Sequence, residues 1–162
     1  MYNRRVSKTH PRVEACGAVD ELNSALGLAR SAGTDEFLRG VLLAAQMDLV
    51  NLMGELATLK EDLERYKADG FTFISNDQVT RLENVVKELE AQKISYKGWA
   101  TPGASPGAAA LDFARSVCRR AERSICALKE SGDLQNDITV IFLNRLSDLL
   151  WLLARKAEQG LV

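Results

Sequence analysis

Apolar residues recur at helical spacing along most of the chain, in five blocks. Over about 12–30, Val19, Leu22, Leu26 and Ala29 share one side, while Asp20, Asn23, Ser24 and Gly27 share another. The second strip is small and polar, suited to a close-packed helix or subunit with Asp20 offered to an arginine, or simply to water. A second helix is expected over 35–58, with Thr34 as its N-cap, Asp35 and Glu36 in its first turn, and a possible continuation through the charged stretch 60–67. Met47, Val50, Met53, Leu56 and Leu59 read as its core. Ser75 with Gln78 three residues on resembles a capping box opening a third helix to about 92, whose buried stripe is Leu82, Val85, Val86 and Leu89. The fourth helix is expected over 105–130 and the fifth over 134–158, the latter with Ile138, Ile141, Phe142, Leu149, Leu152 and Leu153 apolar.

Two interruptions stand out. Asp69-Gly70 leads into Phe71 to Ile74, a run compatible with extended chain but too short to argue a sheet. Over 93–107 the helical pattern stops, and Gly98, Pro102, Gly103, Pro106 and Gly107 crowd around Trp99, which reads equally as a plug over a bundle end or an aromatic wall for a ligand. Five amphipathic segments on mostly short links predict an all-α, five-helix up-and-down bundle forming one domain over 1–162.

Composition narrows the chemistry. A net charge of −1 gives no electrostatic reason to expect nucleic acid or an anionic membrane. No apolar run in the pattern approaches a membrane span, and the N-terminus lacks a signal-peptide core, so a cytoplasmic address is expected. Cys16, Cys118 and Cys126 have no metal-ligand spacing, and His10 is the sole histidine. Histidine triads and multi-histidine metal sites are thereby excluded within one chain, and no protein-held metal is expected.

Charge is concentrated on the fourth helix. Ala114, Val117, Cys118, Ala121, Ile125 and Leu128 make its apolar stripe, and Arg115, Arg119, Glu122 and Arg123 gather on an adjoining face; with Arg120 these are four arginines in nine residues and a single carboxylate. Guanidinium forks match phosphate or carboxylate oxygens, so the cluster reads as a phosphate grip; the alternative is a solvated face laced by ion pairs. On the fifth helix Asn144 and Asp148 lie one turn apart, able to meet a ribose or base edge or to bridge the arginines of the preceding helix.

Three stretches then point to a family. Arg5-Val6-Ser7-Lys8 through Arg12-Val13-Glu14-Ala15-Cys16-Gly17-Ala18-Val19-Asp20-Glu21-Leu22-Asn23-Ser24, Pro102-Gly103 through Cys118-Arg119-Arg120-Ala121-Glu122-Arg123, and Leu143-Asn144-Arg145-Leu146-Ser147-Asp148 occur in order, with Asn51-Leu52-Met53-Gly54-Glu55-Leu56-Ala57 between them. Together they resemble the PduO-type ATP:cob(I)alamin (corrinoid) adenosyltransferases. The resemblance implies a trimer of five-helix bundles with interfacial active sites, in which the reduced cobalt of cobalamin attacks the 5′ carbon of ATP, with its Mg2+, and expels triphosphate. It assigns Lys8, Arg119, Arg120, Glu122, Arg123 and Asn144 to ATP, and Trp99 and Asp148 to the corrinoid. Arg123 is expected to stabilise the departing triphosphate, and Arg119 to pair across the interface with Asp20. Trp99 is expected to pack on the lower corrinoid face, keeping the lower axial base off the cobalt and water out.

The sequence departs from the family pattern in three places. The Gly-rich Thr-Gly-Asp-x-Gly-x-Thr arm that usually precedes these motifs, and helps hold triphosphate and magnesium, is not represented. The Pro-Gly-Gly turn reads Pro102-Gly103-Ala104, and the usual histidine before the arginines is Asp112, which sets a carboxylate near the expected polyanion site. Alongside the enzyme, two other readings stay open: a relative that carries corrinoid or ATP without turnover, and a helical interaction module whose arginines dock an acidic partner.

Overall fold

The computed structural model describes residues 1–33, 35–92, 94 and 99–160. Among them are six α-helices, five of them long: α1 (Pro11–Ala32), α2 (Glu36–Leu56), α3 (Leu63–Ala68, preceded by a 3-10 turn over Lys60–Asp62), α4 (Asn76–Ala91), α5 (Pro106–Glu130) and α6 (Ile138–Glu158). No strand occurs among the described residues, and Phe71 to Ile74 is irregular chain. Asp35 caps α2 by accepting from the Phe37 N–H; the N-cap expected at Thr34 lies outside the described residues, as do Lys93 and Gly98.

The expected continuation of the second helix is broken, and Arg12 shows why. Its buried guanidinium donates to the Leu56 carbonyl at 3.1 Å, to the Thr58 carbonyl at 3.2 Å and to the Asp133 carbonyl at 2.5 Å. A cation on the last carbonyls of a helix satisfies acceptors that the next turn would otherwise take. The chain therefore restarts as α3, where Tyr66 lies so close to Gly54 that a Cβ there would sit 2.6 Å from the phenolic oxygen. The last long helix begins four residues later than expected. Asn136 is committed elsewhere, its Nδ2 donating to the Ile74 carbonyl at 2.8 Å while its Oδ1 accepts from the Ile138 N–H at 3.2 Å. The capping box at Ser75 and Gln78 is present as read.

In space the long helices follow the order α2, α1, α5, α6, α4, and the Asp48–Arg81 ion pair links α4 back to α2. Successive long helices alternate in direction, but an odd ring cannot alternate throughout. The unavoidable parallel pair is α4 with α6, joined by Ile74 to Asn136 near their starts and by Glu83 to Arg145 further along. Every apolar residue named on the fourth predicted helix is buried. Leu82 and Leu89 of α4 are buried too, with Val85 and Val86 partly covered at the margin of the core.

Other expected core positions differ. Met47 is 60% exposed and Val50 and Ile141 about half exposed; with Leu43, Met47 and Val50 form an apolar stripe on the outside of α2. Contrary to the sequence expectation, α2 is long and apolar enough to cross a membrane by length and composition alone, with a mean hydropathy of 1.2 over its most apolar 18 residues. Its opposite face, Leu38, Leu42, Leu49 and Leu52, is bundle core, and its Asp48 and Glu55 are engaged by Arg81 and the Ile74 N–H.

Candidate functional site

Ser105 caps α5 through the Ala108 N–H and Pro106 opens its first turn, so the arginine helix starts cleanly after the Gly/Pro segment. Its apolar stripe faces α1 and α6, which turns Arg119, Arg120 and Arg123 outward to solvent. Their partnerships differ. Arg120 makes an ion pair with Glu21 of α1, whereas Arg119 and Arg123 have no ion pair or hydrogen bond among the described residues. Arg115 is turned back toward Asp112, its Nε 3.9 Å from the carboxylate.

The seam between α5 and α6 gathers several of the other expected residues. Asn144 Nδ2 donates to Glu122 Oε1 at 3.2 Å. Beneath them the buried Cys118 thiol donates to the Leu143 carbonyl at 3.3 Å. Burial pushes that thiol far above its ordinary range; Glu122 and Asp148 add to the shift and Arg119 opposes it, so all three charges surround one point on the seam. Asp148 is held by Arg145 at 3.2 Å, and Arg145 also reaches Glu83 of α4 at 3.2 Å. The bridge from Asn144 and Asp148 to the arginines of α5 is thus not formed: Asn144 takes the carboxylate there, and Asp148 takes an arginine of its own helix.

The remaining expected residues lie apart from this seam. Asp20 lines a cleft of about 450 Å3 between the N-terminal arm, α1 and α2, together with Val6, Arg12, Val13, Cys16 and Met53. Burial, and next the charge of Asp20, raise the Cys16 thiol, which keeps it protonated. Asp20 and Arg119 do not pair within the chain. Lys8 is exposed on the arm, whose course is set by Arg4 gripping Asp62 at 2.8 and 3.0 Å. Trp99 is 99% exposed, so it plugs no bundle end in the single chain.

One expectation is corrected. Asp112 is buried against Arg155, which also binds Glu158 at 3.0 Å, so its carboxylate is neutralised inside the bundle instead of facing the arginine surface. Two features escaped the sequence reading. Glu21, which occupies Arg120, is 99 residues away in the chain, and the cleft depends on how the arm folds back; neither leaves a periodic signal.

An all-helical bundle with an arginine-bearing helix at its centre matches known proteins over nearly its whole length. Residues 1–157 fit the family model described as cobalamin adenosyltransferase, and the chain belongs to that family. It is 38% identical over 155 residues to the corrinoid adenosyltransferase PduO of Salmonella typhimurium, covering 96% of this chain and 45% of that protein. With a corrinoid adenosyltransferase of Mycobacterium leprae it shares 36% identity over 158 residues, covering 96% and 83%. The chain therefore spans about half the length of its PduO relative and most of the shorter one. Among solved structures it resembles a phenylalanine-to-alanine variant of a PduO-type ATP:corrinoid adenosyltransferase from Lactobacillus reuteri complexed with cobalamin and ATP (TM-score 0.84, 35% identity, 95% and 83% covered). An arginine-to-lysine variant from the same organism, complexed with ATP, is similarly close (TM-score 0.85, 32% identity, 98% and 87% covered).

Proposed function

We propose that this chain transfers the 5′-deoxyadenosyl group of ATP to the cobalt of reduced cobalamin. The lone pair of Co(I) attacks C5′, the C5′–O bond breaks, and its electron pair leaves with triphosphate as the cobalt–carbon bond forms. The observation that carries this reading is the pair of exposed, unpartnered arginines, Arg119 and Arg123, beside the Glu122–Asn144 seam. Fixed donors that make no ion pair among the described residues are suited to charge that grows on a leaving triphosphate, and they need no proton transfer. Arg123 is assigned that role. Lys8 and Arg120 are assigned to the phosphates of the Mg2+-bound nucleotide, with Arg120 exchanging Glu21 for ligand. Trp99 and Asp148 are assigned to the corrinoid, whose apolar lower face an exposed indole can cover.

The five long helices are the family's bundle, forming one domain over 1–162 that acts as a homotrimer in the cytoplasm, where ATP is supplied. Two features support assembly. Asp20 and Arg119 stand unpaired on separate faces of one chain, which suits a pair made between copies, and the Leu43, Met47 and Val50 stripe is apolar surface that a neighbour can cover.

The test is anaerobic: purified chain, ATP, magnesium and chemically reduced cobalamin, followed by the loss of the Co(I) absorption band and the rise of the adenosylcobalamin spectrum. Conversion is expected, and Arg123→Ala is expected to slow it by about 100-fold or more. Binding of ATP and cobalamin without conversion would make the chain a carrier, and binding of neither would leave a helical interaction module.

A further inference from the structure

The amide of Asn144 is held from one side only. Its Nδ2 donates to Glu122 Oε1, while Oδ1 has no protein donor among the described residues. The backbone under it is fixed as well, because Ser147 Oγ donates to the Asn144 carbonyl at 2.8 Å and the Cys118 thiol donates to the preceding carbonyl. An amide side chain has a donor end and an acceptor end, and a half-turn about its last bond exchanges them. An ionised carboxylate only accepts. Glu122 therefore admits one of the two orientations, with Nδ2 toward α5 and Oδ1 outward.

Resting on the proposed nucleotide site, we infer that Glu122 is a positioning residue that acts through Asn144 to present a fixed acceptor, selecting a nucleotide base that carries an amine over one that carries a carbonyl at the same place. Adenine offers such an exocyclic amine; hypoxanthine offers an oxygen, and two acceptors face to face repel. A ribose hydroxyl can donate or accept, so it would gain nothing from a locked amide. Selection falls on the base.

The experiment compares ATP with inosine triphosphate by calorimetric titration of the full chain, without corrinoid, for wild type, Glu122→Gln and the Glu122→Gln/Asn144→Asp double variant. Wild type should bind ATP about tenfold more tightly than inosine triphosphate. In Glu122→Gln the new amide can donate to Asn144 Oδ1, so both orientations are populated and the preference should shrink to about threefold or less. The double variant again leaves an acceptor outward, held by the glutamine N–H, and should recover the preference for ATP, a rescue that a purely structural role for Glu122 would not produce. Asn144→Leu, which keeps the volume and removes the acceptor, serves as a second variant and should also lose the preference. An unchanged ratio in Glu122→Gln, or no preference in wild type, overturns the inference while leaving nucleotide binding intact. A wild type that binds neither nucleotide overturns the proposed function and this inference with it.

Discussion

Asp112 of α5 and Arg155 of α6 form an ion pair inside the bundle, 4% and 2% exposed. They meet near the end of the bundle where α5 begins and α6 ends, and Glu158 supplies Arg155 with a second carboxylate. The pair joins two helices at positions whose chain neighbours Leu111 and Ala154 are themselves fully buried. Desolvation offsets much of its Coulomb attraction, so the pair itself adds little net stability; without Asp112 the buried Arg155 keeps only Glu158, and without Arg155 the buried Asp112 keeps only Arg115 at 3.9 Å.

Asp112→Ala is accordingly expected to cost about 1–3 kcal/mol of unfolding free energy, since Glu158 still pairs with Arg155. The double replacement Asp112→Leu/Arg155→Met should cost much less, since both charges leave together. Urea denaturation of Asp112→Leu, Arg155→Met and the double variant gives the coupling directly. A loss in the double variant equal to the sum of the two single losses would show that the two charges are independent.

A second relationship concerns two residues that do not touch. Asp20 faces the cleft beside α2 and Arg119 faces outward from α5; in the proposed trimer the pair between them is made by two copies. Asp20→Ala and Arg119→Ala should each reduce turnover by at least about tenfold. When the two impaired variants are co-assembled, mixed trimers should regain activity, because one of the three interfaces in each joins an intact Asp20 to an intact Arg119. No recovery on co-assembly would place both residues in one chain's site.

Glu55 provides the pH test. Burial raises its carboxyl above the usual range, opposed by the Ile74 N–H and by Asn136. A raised folded-state pKa means that the folded protein holds the proton at pH values where the unfolded chain has released it. Stability from this group is therefore complete below the unfolded value, about 4.3, and is lost as pH rises through the folded value. Glu55→Gln keeps an acceptor for the Ile74 N–H and cannot ionise. Its stability relative to wild type should rise between pH 4 and pH 8, as read from denaturation midpoints at each pH; a parallel pair of pH profiles would show that Glu55 carries no such penalty.

The helices were legible wherever a signal is local. The α5 stripe from Ala114 to Leu128 and the Ser75–Gln78 capping box are decided by residues three or four apart. Long-range partners were not legible. Asp112 reads as a surface carboxylate until Arg155, 43 residues on, is folded against it, and the end of α2 is decided by Arg12, 44 residues earlier. Met47 and Val50 have the right spacing for core, but periodicity says only that residues share a face and not which neighbour covers it. For the site, the arginine cluster was visible as charge, while its division into an occupied Arg120 and unpartnered Arg119 and Arg123 required the position of Glu21.

Trp99 separates binding from stability. An indole with essentially its whole surface in water contributes no packing to the single chain, so Trp99→Ala should change unfolding free energy by less than about 0.5 kcal/mol. If it covers the lower face of the corrinoid, removing it re-admits water and the lower axial base to cobalt, and adenosylation should fall by about tenfold or more, with Trp99→Phe retaining most of the rate. Fluorescence gives an independent reading, because the chain contains only Trp99 and Trp151. Cobalamin should quench the wild-type emission strongly and that of Trp99→Phe much less. Equal quenching in both, together with full activity in Trp99→Ala, would remove Trp99 from the corrinoid site and leave its exposure without a catalytic meaning.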